Sequence, residues 1–325
     1  MNTNTSISKK EISPIGGLKK ENQRDFVINA YLSPHPLGED TFLEEEWISW
    51  IPGYVKEETE EEIPSYYHES NIALYDKIEK LTEELFQNAV NRLWPLLKDH
   101  HFKSFNIAID YANYGNSKSS LAGYEFKHSM PGKGEYYFSV TPSLLKKYAS
   151  FANLNTDLVP NLGIWEHELI HLLDHWDIVK ASSLASSDIP INNLQYYLLK
   201  YREEGIANLF DLLDGNIKSI SCIKEAKEIF QRNYAKTKER LLILDRTNSQ
   251  VREDVYSGYD FYEVGPWLIL DMLKEIPMVT DLIEIETLEQ NIANGIVIDD
   301  QLKMQIIRNA FYIDIEYFNS RYRIG

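Results

Sequence analysis

The sequence predicts an α+β fold, with a small mixed β-sheet lobe followed by a mainly α-helical lobe. Three observations lead there. Alternating apolar and polar residues are confined to a stretch between about residues 105 and 140, the period of a half-buried strand. Helical periodicity dominates from Pro142 to the C-terminus. Strands in one run and helices in the next favour an α+β arrangement over an alternating α/β one. A chain of 325 residues with 43% hydrophobic content can bury two packed lobes, at roughly 150 residues per domain. The expected division is 1–70, a polar arm and an acidic, aromatic segment; 71–178, the α+β lobe; and 179–325, the helical lobe.

Residues 1 to 25 are polar, contain the pair Gly16 and Gly17, and read as a flexible arm. Between Glu39 and Glu69 stand eleven acidic residues and one lysine, Lys56, interleaved with Trp47, Ile48, Trp50 and Ile51. This reads as a solvated acidic segment held to the fold by its aromatics. A recruitment or autoinhibitory segment for a basic partner is the sharper alternative. Leu74, Ile78, Leu81, Leu85 and Ala89 share one face of a helix that should end near Pro95. Strands are expected at 105–111, 121–126 and 135–140, the last two divided by the turn residues Pro131, Gly132 and Gly134.

The net charge of −17 argues against nucleic acid and against an anionic membrane as partners, because both attract Lys and Arg. The single cysteine, Cys222, falls in a helix-like stretch, forms no internal disulfide and suits core packing in a reducing compartment. No run of apolar residues has the length of a signal peptide or a membrane span, so a soluble cytoplasmic protein is expected. Export by a dedicated secretion system stays open.

The stretch WEHELIHLLDHWD, Trp165 to Asp177, holds three of the eight histidines. His167 and His171 stand four apart on one helix face with Glu168 beside them, the HExxH spacing at which two imidazoles grip a zinc ion. Chance would supply this pattern about 0.02 times in such a composition. Apolar residues surround the polar stripe, and a buried polar stripe needs partners such as a metal. Zinc still needs a third ligand. The helix-like stretch 192–215 carries Glu203, Glu204 and Gly205 at its middle, where glycine costs about 1 kcal/mol relative to alanine, which implies a close approach to its backbone. The stretch 260–273 places Tyr262, a donor suited to a developing oxyanion, one turn before Gly265.

In that order, the HExxH motif, the Glu204-Gly205-Ile206-Ala207 segment and the Tyr262-to-Gly265 segment resemble the gluzincin metallopeptidases. The nearest likeness is to the aminopeptidase-N and leukotriene-hydrolase branch, with its HExxH, EGxA and YxxG segments. The likeness covers roughly residues 135–275. It implies a thermolysin-like catalytic core with the active-site cleft between the lobes. It implies one zinc ion per chain on His167, His171 and Glu204, with Glu168 as the general base on zinc-bound water and Tyr262 as the oxyanion donor. Asp211 would support the ligand sphere, and Asp174 would hydrogen-bond a ligand imidazole or cap a neighbouring group. The strand 135–140 would be the edge strand that pairs with an extended substrate.

The chain departs from that branch in two ways. The interval from His171 to Glu204 is long, implying an insertion around 181–191, and the Gly-x-Met-Glu-Asn element that anchors a substrate's amino terminus has no counterpart. Peptidase activity is expected; aminopeptidase activity is not. His175 lacks the preceding glycine that a third histidine ligand would need, having Asp174 there, and reads as a structural histidine. His35, His68, His100 and His101 read as surface residues, and His128 is a weak candidate near the substrate strand. Glu203 competes with Glu204 as the third ligand. The expected partner is a peptide or protein substrate, with a basic one suiting the acidic segment. The alternatives are a pseudoenzyme or binding protein on a peptidase scaffold, and a zinc hydrolase of non-peptide substrates.

Overall fold

The computed structural model describes residues 26–33, 72–110, 122–124, 129–140, 163–181, 193–243 and 261–322. The polar arm, the acidic segment 39–69, the insertion after Ala181, and His35, His68 and His128 lie outside the described residues.

The fold is α+β, a small mixed sheet with mostly helices around it. Four strands, β1 (Val27–Ser33), β2 (Ser104–Asp110), β3 (Ala122–Tyr124) and β4 (Glu135–Val140), lie in the order β1-β2-β4-β3. The first three in that order are parallel, and β3 runs antiparallel along β4 at the edge. β1 was not expected from the sequence. The helix α1 (Ile72–Arg92) lies in the connection between the parallel pair β1 and β2, which a tight turn cannot join. The short helix α2 (Trp94–Leu97) then carries Pro95 in its first turn, where the missing N–H leaves no bond unmade.

Strand register explains which face is buried. Phe105, Ile107 and Ile109 of β2 stand opposite Tyr136, Phe138 and Val140 of β4, and all six are buried. Phe86 of α1 fills the space above them, with ring centroids 5.3 Å from Phe105 and 5.0 Å from Phe138. It also meets Trp165 of the next helix, α3 (Ile164–Ala181), at 5.2 Å. The sheet therefore anchors the helix that carries HExxH.

The remaining helices are α4 (Asn193–Ala207), α5 (Leu209–Leu213), α6 (Ile223–Ile243), α7 (Phe261–Leu273), α8 (Pro277–Thr280), α9 (Ile285–Ala293), α10 (Asp300–Ala310) and α11 (Ile315–Tyr322). The single helix expected over 192–215 is divided at Asn208, whose side-chain amide donates back to the Glu204 carbonyl at 2.8 Å. Cys222 is half-buried and precedes α6 instead of lying within it. No helix among the described residues is long and apolar enough to cross a membrane.

The glycines at 205 and 265 are each other's reason. A Cβ on Gly205 would lie 2.7 Å from the carbonyl carbon and oxygen of Gly265, and a Cβ on Gly265 would lie 2.8 Å from the Cα of Gly205. Helices α4 and α7 thus cross backbone to backbone, which only residues without side chains permit. Tyr201 and Phe261 pack beside the crossing with centroids 4.7 Å apart. Gly265→Ala is expected to destabilise the fold by about 1–3 kcal/mol, the cost of overpacking. Urea unfolding measures it, and an unshifted midpoint would mean that the crossing can open without cost.

Candidate metal centre

Helix α3 begins after Gly163, whose φ of +68° lies in the left-handed region that glycine adopts freely. Trp165, Leu169, Ile170, Leu172 and Leu173 bury it on several sides. His167 and His171 turn the other way, toward α4, their rings edge to face at 4.6 Å. Glu204 of α4 is buried opposite them.

The three donor atoms converge. The Nε2 atoms of His167 and His171 are 3.0 Å apart, and Oε2 of Glu204 lies 3.4 Å from the first and 3.3 Å from the second. Three ligands each about 2.0–2.1 Å from one tetrahedral ion would stand about 3.3–3.4 Å from one another, so the two edges to Glu204 fit an ion of zinc's size and the edge between the imidazoles, at 3.0 Å, is slightly shorter. The buried Oε2 of Glu204 also receives no hydrogen bond, a costly state for a carboxylate oxygen unless a cation meets it. His167, His171 and Glu204 form a group that can hold a metal ion. The donor set of two imidazoles and a carboxylate suits zinc but does not by itself select it.

Electrostatics point the same way. Burial pushes the Glu204 carboxyl up, but His171 and His167 beside it more than offset this and hold it well below the usual carboxylate range. Burial pushes His167 down, while the adjacent Glu204 and the charges of Glu168 and Asp211 raise it to about 9. Without a metal, a proton stands in for part of the missing positive charge.

Glu168 lies next to the donor cluster. Its Oε1 is 4.0 Å from His167 Nε2, and its Oε2 accepts the backbone N–H of Tyr124 at 2.8 Å. Tyr124 ends β3, which corrects the expectation for strand 135–140. That strand, β4, is paired on both sides and buried within the sheet, and the short antiparallel β3 is the edge strand next to α3. Tyr262, in the first turn of α7, has its ring centroid 6.1 Å from that of His167 and is 49% exposed. Pro266 has no N–H to give the Tyr262 carbonyl four residues earlier, so this turn is loosened where the tyrosine projects.

Asp211 sits against the start of α3, its Oδ1 2.7 Å from where a Gly163 Cβ would stand, and it accepts from Asn216 Nδ2 at 3.3 Å. Burial pushes its carboxyl up, and its charge contributes to raising His167. Asp174 does not take the role expected of it. Its carboxylate pairs in a two-pronged contact with buried Arg202, at 2.5 Å from Nη1 and 2.8 Å from Nη2, because one further turn along α3 carries it past the imidazoles to the flank of α4. Arg202 Nε also donates to the Ile313 carbonyl at 2.6 Å.

Between the two glutamates, the geometry favours Glu204. Glu203 turns aside to Lys200 at 3.1 Å and to His175 at 4.0 Å. Burial pushes Glu203 up, yet Lys200 and His175 hold it at about 2. His175 lies one turn beyond the donors, edge-on to Tyr124 at 5.9 Å. His101 is exposed and His100 half-buried in the turn before β2.

Arg202, Lys200 and the Tyr124 amide belong to no motif in the sequence. Arg202 was the findable one. An arginine between Tyr201 and Glu203 on a buried helix demands an acid, and Asp174 is an acid on the helix facing it.

Removing one partner of a buried ion pair costs about 3–5 kcal/mol. Arg202→Met should lose that much in urea unfolding, and Arg202→Met/Asp174→Leu should recover most of it; equal losses in both would deny the pair its bracing role. Metal uptake must displace the His167 proton, so affinity should rise about tenfold per pH unit up to about 9 and then level. In the metal-free protein the same raised value gives stability that is present below about 6.5 and lost as pH rises through about 9. Chelator competition between pH 6 and 8 checks the first point, and a flat affinity there contradicts it. The chain matches no family model, no curated protein and no solved structure.

Proposed function

We propose that this chain is a zinc-dependent metallopeptidase with a gluzincin-type core, acting on peptide or protein substrates. One observation carries the reading. Two imidazoles and a buried carboxylate oxygen converge at 3.0–3.4 Å, and a further carboxylate, Glu168, stands 4.0 Å from the Nε2 of His167. That is the donor set of a hydrolytic zinc site together with a base.

A zinc ion held by His167, His171 and Glu204 would lower the pKa of its bound water towards about 7 and polarise a carbonyl. The chain's own groups do the rest. Glu168 takes the proton from the attacking water on Oε1 and hands it to the leaving amine. Its Oε2 stays on the Tyr124 amide at 2.8 Å, so the base is held by one oxygen and acts with the other. Tyr262, half-exposed beside His167, donates to the oxyanion that develops as water attacks. The side of the donor triangle towards Tyr262 and the edge strand β3 is where an extended peptide would lie.

Full retention of metal with hydrolysis lowered by orders of magnitude is the expected result for Glu168→Gln, read by metal analysis and by cleavage of an unbiased peptide library. His167→Ala and Glu204→Ala should each lose the metal. Wild-type peptide cleavage by Glu168→Gln removes Glu168 from the mechanism. A zinc-loaded wild type that cleaves esters or epoxides and no peptide would instead make the chain a hydrolase of another substrate class.

A further inference from the structure

Two adjacent glutamates lie near the end of α4, and neighbours on a helix point about 100° apart, so they cannot both face the histidines. What the second one does follows from Lys200. This lysine stands four residues before Glu204, one helical turn away. Its Nζ is 3.1 Å from Oε2 of Glu203 and 3.9 Å from Oε1 of Glu204. The lysine side chain is 17% exposed and the glutamates' are 13% and 9%. An ammonium so far from water persists only where anions surround it. Here two carboxylates do, one of them a ligand. Glu204 is thereby divided: Oε2 faces both imidazoles and Oε1 faces the lysine.

We propose that Lys200 is a positioning residue for the third metal ligand, its ammonium holding Oε1 of Glu204 aside so that Glu204 binds the ion through Oε2 alone. The inference rests on the metal-site reading above. A carboxylate with both oxygens free can also ligate through both, which would occupy the position that a hydrolytic site keeps for water and substrate. Glu203 then has its own part. It is the anion that keeps Lys200 in place, with His175 closing its far side at 4.0 Å. The lysine charge also draws electron density from Glu204, which leaves a bound ion a stronger Lewis acid.

Cobalt(II) provides a probe that reads coordination without reference to turnover. The full-length wild type loaded with cobalt should show the intense visible bands of a four-coordinate site. Lys200→Met should lose intensity as Glu204 becomes two-pronged, and Lys200→Arg should restore it. Because Lys200→Met leaves Glu203 buried without a counter-charge, the variant Lys200→Met/Glu203→Gln removes both charges and should show the same spectral loss. With zinc and a peptide substrate, kcat of either Met variant should fall roughly 10- to 100-fold at nearly constant KM. Wild-type cobalt spectra in both Met variants overturn the role of Lys200 and leave the metal site standing. A wild type that takes up no cobalt overturns the metal reading itself.

Discussion

The candidate site depends first on one buried ion pair, Asp174 with Arg202. Asp174 is three residues after His171 on α3, and Arg202 is two residues before Glu204 on α4. Both hydrogen bonds of the fork are made, at 2.5 and 2.8 Å, and the third guanidinium edge reaches the Ile313 carbonyl. Burying two charges costs several kcal/mol per ion, and attraction offsets that only when the remaining donors are also satisfied. The pair is therefore a weak source of stability and a strong source of register. Apolar helix faces can slide by a fraction of a turn at little cost, whereas a guanidinium and a carboxylate fit in one alignment. That alignment brings Glu204 to face His167 and His171.

The glycine crossing extends the same placement to a third helix. Gly205 is the residue after Glu204, and Gly265 is three residues after Tyr262. With the backbones of α4 and α7 in contact, the position of Glu204 fixes that of the first turn of α7 and so of Tyr262 beside His167. Metal distances tolerate only about 0.2 Å. A close-packed crossing and a forked ion pair are both rigid enough for that standard, and both converge on α4.

The HExxH spacing and three strands were legible because their periods are local: HExxH within five residues, alternation within seven. β1 was not, because Val27–Ser33 reads Val-Ile-Asn-Ala-Tyr-Leu-Ser, without clean alternation. Its partner lies 77 positions along the chain, and a parallel crossover leaves no turn signal near the strand. Alternation likewise says nothing of pairing order, so β4 was read as an edge strand when β3 is the edge. The choice between Glu203 and Glu204 was not decided by periodicity, because α4 is buried on both of those faces. Lys200 and His175 decide it, through contacts between helices. For Asp174 the expectation is a ligand imidazole or a neighbouring group to cap, both local; its partner is Arg202, 28 residues away. Gly205 signalled a close approach, but nothing in either segment said that Gly265 is what approaches it.

Charge balance joins the site to the fold. Glu168, Glu203, Glu204 and Asp211 bring four carboxylates to one region, and Lys200 is the fixed cation paired with two of them. The deficit of positive charge falls at Oε2 of Glu204, which receives no hydrogen bond. A proton on His167 supplies part of what is missing, which is why that imidazole stays charged to about pH 9. A divalent cation would supply it more fully, drawing α3 and α4 together at the point their ion pair has already brought within reach. A cation that binds the folded chain and not the unfolded one adds stability by mass action, about 4 kcal/mol at a thousand times its dissociation constant. That is comparable to the cost of losing one partner of the buried ion pair, so a bound metal ion and the Asp174–Arg202 brace would act as two fastenings of one helix interface.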